Sequence, residues 1–344
     1  MNNFKKIGVS ALAGSLAMVS ANAVEYTVSG DFLATFATQD NPTVSSDSGK
    51  GFGADTDLYF STSGELDNGY TVGYVMSVNT NGALTNSSSQ MKIGMGSLGS
   101  FHLNHVGGSK VNAIDDVTPH AYEETWHGLT AADSDPSFFG STLNSGSVDY
   151  RIPTQEYSGI TLDVSATYDP GAGAGAVDAK GVNEVTSSGR GLVVQLSGSG
   201  LEVGAGITIE EDNGDSVGAS VGKTEAEAVT GYIKYSYGPI SVGVQQAYLN
   251  DSHGPGNQGN DISAEMASIA YTAGNISVSY GQSSFITEGN VGTTVAPEVE
   301  LDSVQAAYTI GAMTVAVAMS ETTNAGGTLA ATYNENTLAV AFAF

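Results

Sequence analysis

No cysteine occurs in the 344 residues, so disulfides and thiolate metal sites are excluded, and the fold must close through backbone pairing and burial. Positive charge is also scarce: ten Lys and Arg stand against 36 Asp and Glu, a formal net charge of −26. Phosphate backbones are gripped by clustered Lys and Arg, so nucleic acid is excluded as a partner, and cations are the natural counter-ions. Charged residues make up 13% of the chain, about half the share of ordinary soluble domains. No apolar run is long enough to span a bilayer as a helix.

What is present begins with an export pattern. Lys5 and Lys6 precede an apolar stretch, Ile7 to Val19, and then the small-x-small ending Ala21-Asn22-Ala23. Residues 1–23 therefore read as a cleavable signal peptide, leaving 24–344 as one mature domain bound for the periplasm, the outer membrane or the medium.

Beyond residue 24 the apolar residues alternate. Tyr70, Val72, Tyr74, Met76 and Val78 are large and apolar, while Thr71, Gly73 and Ser77 between them are small or polar. The same period of two runs through Ile160–Tyr168, Leu201–Ile209, Met313–Met319 and Leu338–Phe344, and it marks strands with one greasy and one wet face. Short turn signals at 67–69, 97–99, 198–200, 238–239, 273–275 and near Gly311 separate longer loops near 38–51, 80–88, 107–146, 169–187, 210–226, 251–260, 286–299 and 321–328. Eight long loops with short returns imply about sixteen strands. A soluble sandwich or propeller shares this alternation. The wet face, the aromatic ends at Tyr70, Tyr168, Tyr237 and Tyr248, and Phe344 on a greasy strand favour an all-β, antiparallel transmembrane barrel with a polar lumen. Lys92, Arg151 and Lys234 fall at polar parity, as expected when a cation on the lipid face costs about 2–4 kcal/mol at mid-bilayer.

Several stretches carry a family likeness. Val24–Asp31 reads as an opening strand, Leu58–Gly69 as a second strand and its turn, Gly94–Phe101 as the hairpin before the longest loop, and Val148–Gly159 as the strand after it. With the ending Leu338-Ala-Val-Ala-Phe-Ala-Phe344, the chain resembles the general diffusion porins of Gram-negative outer membranes, in particular the Rhodobacter-type sixteen-stranded porins. The resemblance implies a homotrimer in contact with outer-membrane lipid and lipopolysaccharide. It also implies that Phe344 serves as a signal to the barrel-assembly machinery, and that the third loop, 107–146, folds into the lumen as a constriction. Porins of this kind commonly set loop acids against wall arginines. This sequence instead has Asp55-Thr56-Asp57 where an Arg-x-Arg is usual, and Leu33 where an arginine often follows Asp31. The expected lumen wall is then Asp31, Asp55 and Asp57, with Lys92 and Arg151 as its remaining cations and most of the positive half missing.

The stretch 120–127, HAYEETWH, is the one constellation that looks like chemistry. Zinc hydrolases need histidines four apart with glutamate directly after the first, whereas here they are seven apart. His102 and His105 sit three apart on a strand, on opposite faces unless a bulge intervenes, and His253 lies in a glycine-rich loop. Gly-x-Ser-x-Gly occurs at Gly214–Gly218 and Gly218–Gly222, but both fall inside the long loop 210–226, without the strand-to-helix turn that makes a nucleophile elbow. The chain is therefore expected not to be an enzyme and to require no cofactor. Inside the third loop Asp115, Asp116, Glu123 and Glu124 become field sources, His120 and His127 pH-dependent modifiers, and Tyr122 and Trp126 anchors. The four carboxylates could also share Ca²⁺. The expected function is passive diffusion of small hydrophilic solutes, with cations preferred. A structural or adhesive surface role and, more remotely, an outer-membrane hydrolase are the alternatives.

Overall fold

The computed structural model describes residues 25–40, 48–79, 84–126, 138–171, 187–212, 224–252, 261–288 and 296–344. The signal-peptide residues, His127 and His253 lie outside the described residues. The strands nearest the N-terminus are β1 (Glu25–Asp40), β2 (Gly49–Glu65), β3 (Thr71–Asn79), β4 (Thr85–Gly94), β5 (Ser100–Val106), β6 (Ser147–Arg151) and β7 (Gln155–Tyr157). Then follow β8 (Ile160–Asp169), β9 (Ser187–Gly198), β10 (Leu201–Asp212), β11 (Thr224–Tyr237) and β12 (Ile240–Ser252). The last are β13 (Asp261–Ala273), β14 (Ile276–Glu288), β15 (Val299–Ile310), β16 (Met313–Thr323) and β17 (Thr332–Ala343).

Each strand pairs antiparallel with its sequence neighbours, apart from the pair β6 and β7, which lie end to end. Both pair with β8, through Arg151↔Ser165 and Gln155↔Leu162. Between them stands Pro153, which has no N–H for the ladder, while Ile152 N–H still donates to Val164 O at 3.1 Å. The two halves are one stave, which gives a sixteen-stranded barrel.

The ring closes where β1 meets β17, in register from Asp31↔Ala343 to Asp40↔Asn334. Gly30 N–H donates to Phe344 O at 2.8 Å and Phe344 N–H returns to Gly30 O at 2.9 Å. A Cβ on Gly30 would stand 2.7 Å from the Phe344 ring and 2.9 Å from Asp57 O, so the seam closes there because residue 30 has no side chain. Closure leaves no unpaired edge to attract another chain or to stay unsatisfied in lipid.

The alternation read from the sequence becomes two faces. On β12, Val242, Val244 and Tyr248 point to the exposed side, and Gly243, Gln245 and Ala247 to the buried one. The exposed side repeats around the ring as an apolar band, including Phe32, Leu196, Ile233, Ile269, Val304 and Phe342. An outward apolar band of this kind is what a membrane-spanning barrel presents to hydrocarbon. The opposite face is the inner wall, built from Ser, Thr, Gln, Gly and Ala. The strands β10 to β15 are long, whereas β3 to β6 are much shorter.

Candidate functional site

The segment between β5 and β6 lies along the inner wall. It leaves β5 through Gly107 and Gly108, then makes a 3₁₀ turn at Asn112–Ile114, and returns through another at Ser141–Leu143. Val111, Ile114, Phe139 and Leu143 are fully buried against Val193, Ala228 and Tyr232 of β9 and β11. Burying each such side chain is worth about 1.5–3 kcal/mol; one hydrogen bond contributes roughly 0.5–1.5. The apolar cluster is therefore the main anchor. The wall makes room for it where a side chain is missing: a Cβ on Gly206 would fall 2.6 Å from Phe139 Cζ and 2.8 Å from Ile114 Cδ1.

From Ile114 the segment runs across β12 to β15, held by a row of inward polar side chains. Gln245, 2% exposed, accepts from Val117 N–H at 2.9 Å and donates to Ile114 O and Asp115 O at 2.8 and 2.9 Å. The Ser268 hydroxyl donates to Pro119 O at 2.7 Å, and Ser279 Oγ accepts from Ala121 N–H at 2.9 Å. Gln305 accepts from Tyr122 and Glu123 N–H at 3.0 and 3.2 Å and donates to Glu123 O at 2.7 Å. Tyr122 packs beside Ala307, Ala316 and Ala339. Trp126 packs on a second cluster that includes Met266, Leu301 and Tyr333. Residues 115–126 are bends and turns rather than helix, because their backbone groups bond to the wall instead of to one another.

The four loop carboxylates occupy different environments. Asp115 accepts from Asn112 Nδ2 at 3.1 Å and from Asp116 N–H at 2.9 Å. Burial pushes its carboxyl up to about 6, the Asp116 N–H opposes this, and the Glu124 and Asp116 charges reinforce it. The Asp116 side chain is 1% exposed; one oxygen accepts from Thr118 N–H and Oγ1 at 2.9 and 2.7 Å, while the other faces His120 Nε2 at 3.5 Å. Glu123 and Glu124 are half-buried on the same run. Burial, with the Glu123 and Glu335 charges, pushes the Tyr122 hydroxyl up to about 12. Among the described residues no three His, Asp or Glu side chains converge as a metal site.

The expected wall acids do converge. Asp31 lies directly opposite Asp57, Asp55 sits two residues further along β2, and Tyr59 hydrogen-bonds Asp31. Asp55 accepts from Asn79 Nδ2 at 2.8 and 2.9 Å.

The positive half is more substantial than the sequence suggested. Lys92, Arg151 and Lys110 line one cavity of about 460 Å³ with His102, Thr154, Asp163 and Gln195. Arg151 Nη2 meets the fully buried Asp149 at 2.7 Å. Asp149 also accepts from Lys110 N–H at 2.9 Å and Thr167 Oγ1 at 2.7 Å, so it organises the start of the loop. Burial, reinforced by Arg151, pushes the Lys110 ammonium below its usual range. His102 is buried between Ser100 at 3.0 Å and Gln90 at 3.2 Å. A bulge opposite Ser89 and Gln90 drops His105 from the register, and His105 bonds Ser89 at 2.9 Å. The two histidines share no partner among these bonds.

Sequence reasoning did not identify Gln245, Gln305, Ser268, Ser279 or Gly206. Their inward parity was readable; their contact with the loop was not.

The sequence description that matches the chain over residues 8–296 is that of a Gram-negative porin. No curated protein matches. Among solved structures, the anion-selective porin from Comamonas acidovorans aligns with 93% of this chain and all of its own at 12% identity and a TM-score of 0.67. A trimer form of OmpT, an outer membrane protein of Vibrio cholerae, aligns at 15% identity, with 94% and 100% coverage and a TM-score of 0.58. A mutant of the Rh. blastica porin aligns at 15%, with 93% and 100% coverage and a TM-score of 0.52. At these identities the likeness establishes the barrel fold.

Proposed function

We propose, since this chain belongs to the Gram-negative porin family, that its outer-membrane barrel passes small hydrophilic solutes without turnover and admits cations more readily than anions. The observation that carries the preference is the fixed path of residues 114–123 along the wall, tied at Gln245 and Gln305. A tied loop keeps Asp115, Asp116, Glu123 and Glu124 beside the inner wall, and Asp31, Asp55 and Asp57 lie on β1 and β2. Carboxylates around a narrow passage act over a screening length of about 8 Å at physiological salt, so their field reaches across a constriction and fades in wider vestibules. Lys92, Lys110 and Arg151 supply the opposing sign on one side, which polarises the passage. The acids outnumber them. His120, 3.5 Å from Asp116, is the described histidine that would modify this field, with His127 as its sequence neighbour in the loop.

The assembly we propose is a homotrimer, as in the Vibrio cholerae structure described as a trimer form, with the short staves β3 to β6 turned toward the other subunits. Reversal potentials in planar bilayers across a KCl gradient test the selectivity. The native barrel should prefer K⁺, and the variant combining Asp115→Asn, Asp116→Asn, Glu123→Gln and Glu124→Gln should lose most of that preference. An anion-preferring native channel overturns the reading.

A further inference from the structure

The outer wall of β11 to β15 departs from that of β1. On β1 the outward residues stay apolar from Tyr26 through Val28, Phe32 and Ala34 to Phe36. At about 3.3 Å per residue and a tilt near 40°, that is roughly 25 Å of membrane height. On β14 the apolar outward run is only Ile276, Val278 and Tyr280, followed by Gln282 and Ser284, or roughly 10 Å on the same measure. The register extends this across neighbouring strands. Ala267 lies opposite Gln282, which lies opposite Asp302. One row further from the short turns, Gln246, Glu265, Ser284 and Glu300 are successive partners on four strands. Carboxylates thus begin where β1 still presents phenylalanine.

This polar row tops a furrow. Where outward positions shrink to Gly231 and Ala267, the wall is dented between taller neighbours. The lower part, about 360 Å³, is lined by apolar side chains including Ile233, Val242, Val244, Ile269 and Tyr280. The upper part, about 720 Å³, continues past Gln246, Glu265, Gln282, Ser284 and Glu300. Among the described residues no Lys or Arg lines either part. Gln246 Nε2 donates to Glu265 Oε1 at 2.7 Å, and Tyr280 hydroxyl donates to Asp302 Oδ1 at 2.5 Å, so these two carboxylates are held on the wall.

We infer that this furrow binds one membrane amphiphile, with an acyl chain in the lower dent and an amine-bearing head against Glu265 and Glu300. Apolar dent and acidic rim together select that chemistry. A bare anionic head would meet like charge, whereas an ammonium supplies both the charge and the N–H donors that the carboxylates accept. The inference rests on the chain being an outer-membrane barrel, but not on its ion preference.

The test uses the full barrel reconstituted in nanodiscs of equal phosphatidylethanolamine and phosphatidylglycerol, with retained lipid counted by native mass spectrometry as detergent is added. One phosphatidylethanolamine per subunit should outlast the rest. Filling the dent with Ala267→Leu should lower its retention at least tenfold, and the pair Glu265→Gln and Glu300→Gln should abolish the preference for phosphatidylethanolamine over phosphatidylglycerol. Unchanged conductance in each variant confirms the fold. Equal retention of both lipids by the native barrel, or retention indifferent to Ala267→Leu, overturns the proposal. So does a second copy in the furrow, detected as an intersubunit disulfide of the Ala267→Cys variant in this otherwise cysteine-free chain.

Discussion

Replacing Gln245 by leucine should release the middle of the inner loop while leaving the barrel intact. The side chain is almost fully buried and serves Val117 N–H, Ile114 O, Asp115 O and the Thr230 hydroxyl. Leucine fills similar space and serves none of them. Each buried backbone group left without a partner costs about 1–3 kcal/mol, but the wet lumen rehydrates part of the loss. A net penalty near 2–4 kcal/mol follows for the docked loop, which is about 30- to 1,000-fold in the docking equilibrium at 1.4 kcal/mol per decade. The apolar anchor at Val111, Ile114, Phe139 and Leu143 stays, so the loop should loosen locally rather than leave the wall. Hydrogen exchange should quicken at Val117 by that factor, with little change in β12 itself, and single-channel currents should become noisier. Gln305→Leu should do the same at Tyr122 and Glu123. Because both glutamines hold one segment, the double variant should depart from additivity. If Val117 keeps its native protection in Gln245→Leu, the tether has been misidentified and the argument fails.

Gly206→Val should force Ile114 and Phe139 off the wall at about 1–3 kcal/mol of overpacking, raising single-channel conductance and exposing the loop to protease. The Asp115 carboxyl, raised by burial to about 6, is neutral below that pH and charged above it. Cation preference should therefore fall as pH drops from 7 to 5, and Asp115→Asn should remove that step. The sign for packing is the reverse: a raised carboxyl pKa favours the protonated loop, so docking should weaken as pH rises between the ordinary carboxylate value of 3.8 and about 6. Arg151→Gln strips the buried Asp149 of its cation and should cost about 3–5 kcal/mol in barrel stability, read from urea unfolding. Lys92→Gln should leave stability unchanged and sharpen cation preference, read from reversal potentials.

The barrel was legible because its two signals are local. Alternation at Tyr70–Val78 or Leu338–Phe344 needs no knowledge of partners, and the turns at 67–69, 198–200 and 273–275 are turns in the structure. The acids of 115–124 and of β1 and β2 were legible by parity and by position in the longest loop. The loop's route was not, because it depends on which inward residue lies beside which across β12 to β15, and on the space left at Gly206. The cavity shared by Lys92, Lys110 and Arg151 was hidden for the same reason: three cations far apart in sequence meet only once the bulge at Ser89 and the bonds to Asp149 fix the register. His120-to-His127 looked like chemistry because ligand types cluster there. Its described part is a run of bends and turns, and His120 there faces Asp116, which lies outside the stretch.

The seam between β1 and β17 has a consequence in time. Asp31 pairs with Ala343 and Gly30 with Phe344, contacts that join the two extremes of the described chain, whereas every other stave meets a neighbour adjacent in sequence. Pairings of such long separation form late, since chain entropy opposes them until the rest of the sheet is in place. Through assembly the growing sheet keeps two free edges, and the final step satisfies both at once. A chain lacking its last strand would stall as an open sheet with exposed edges, a form open to proteolysis and aggregation.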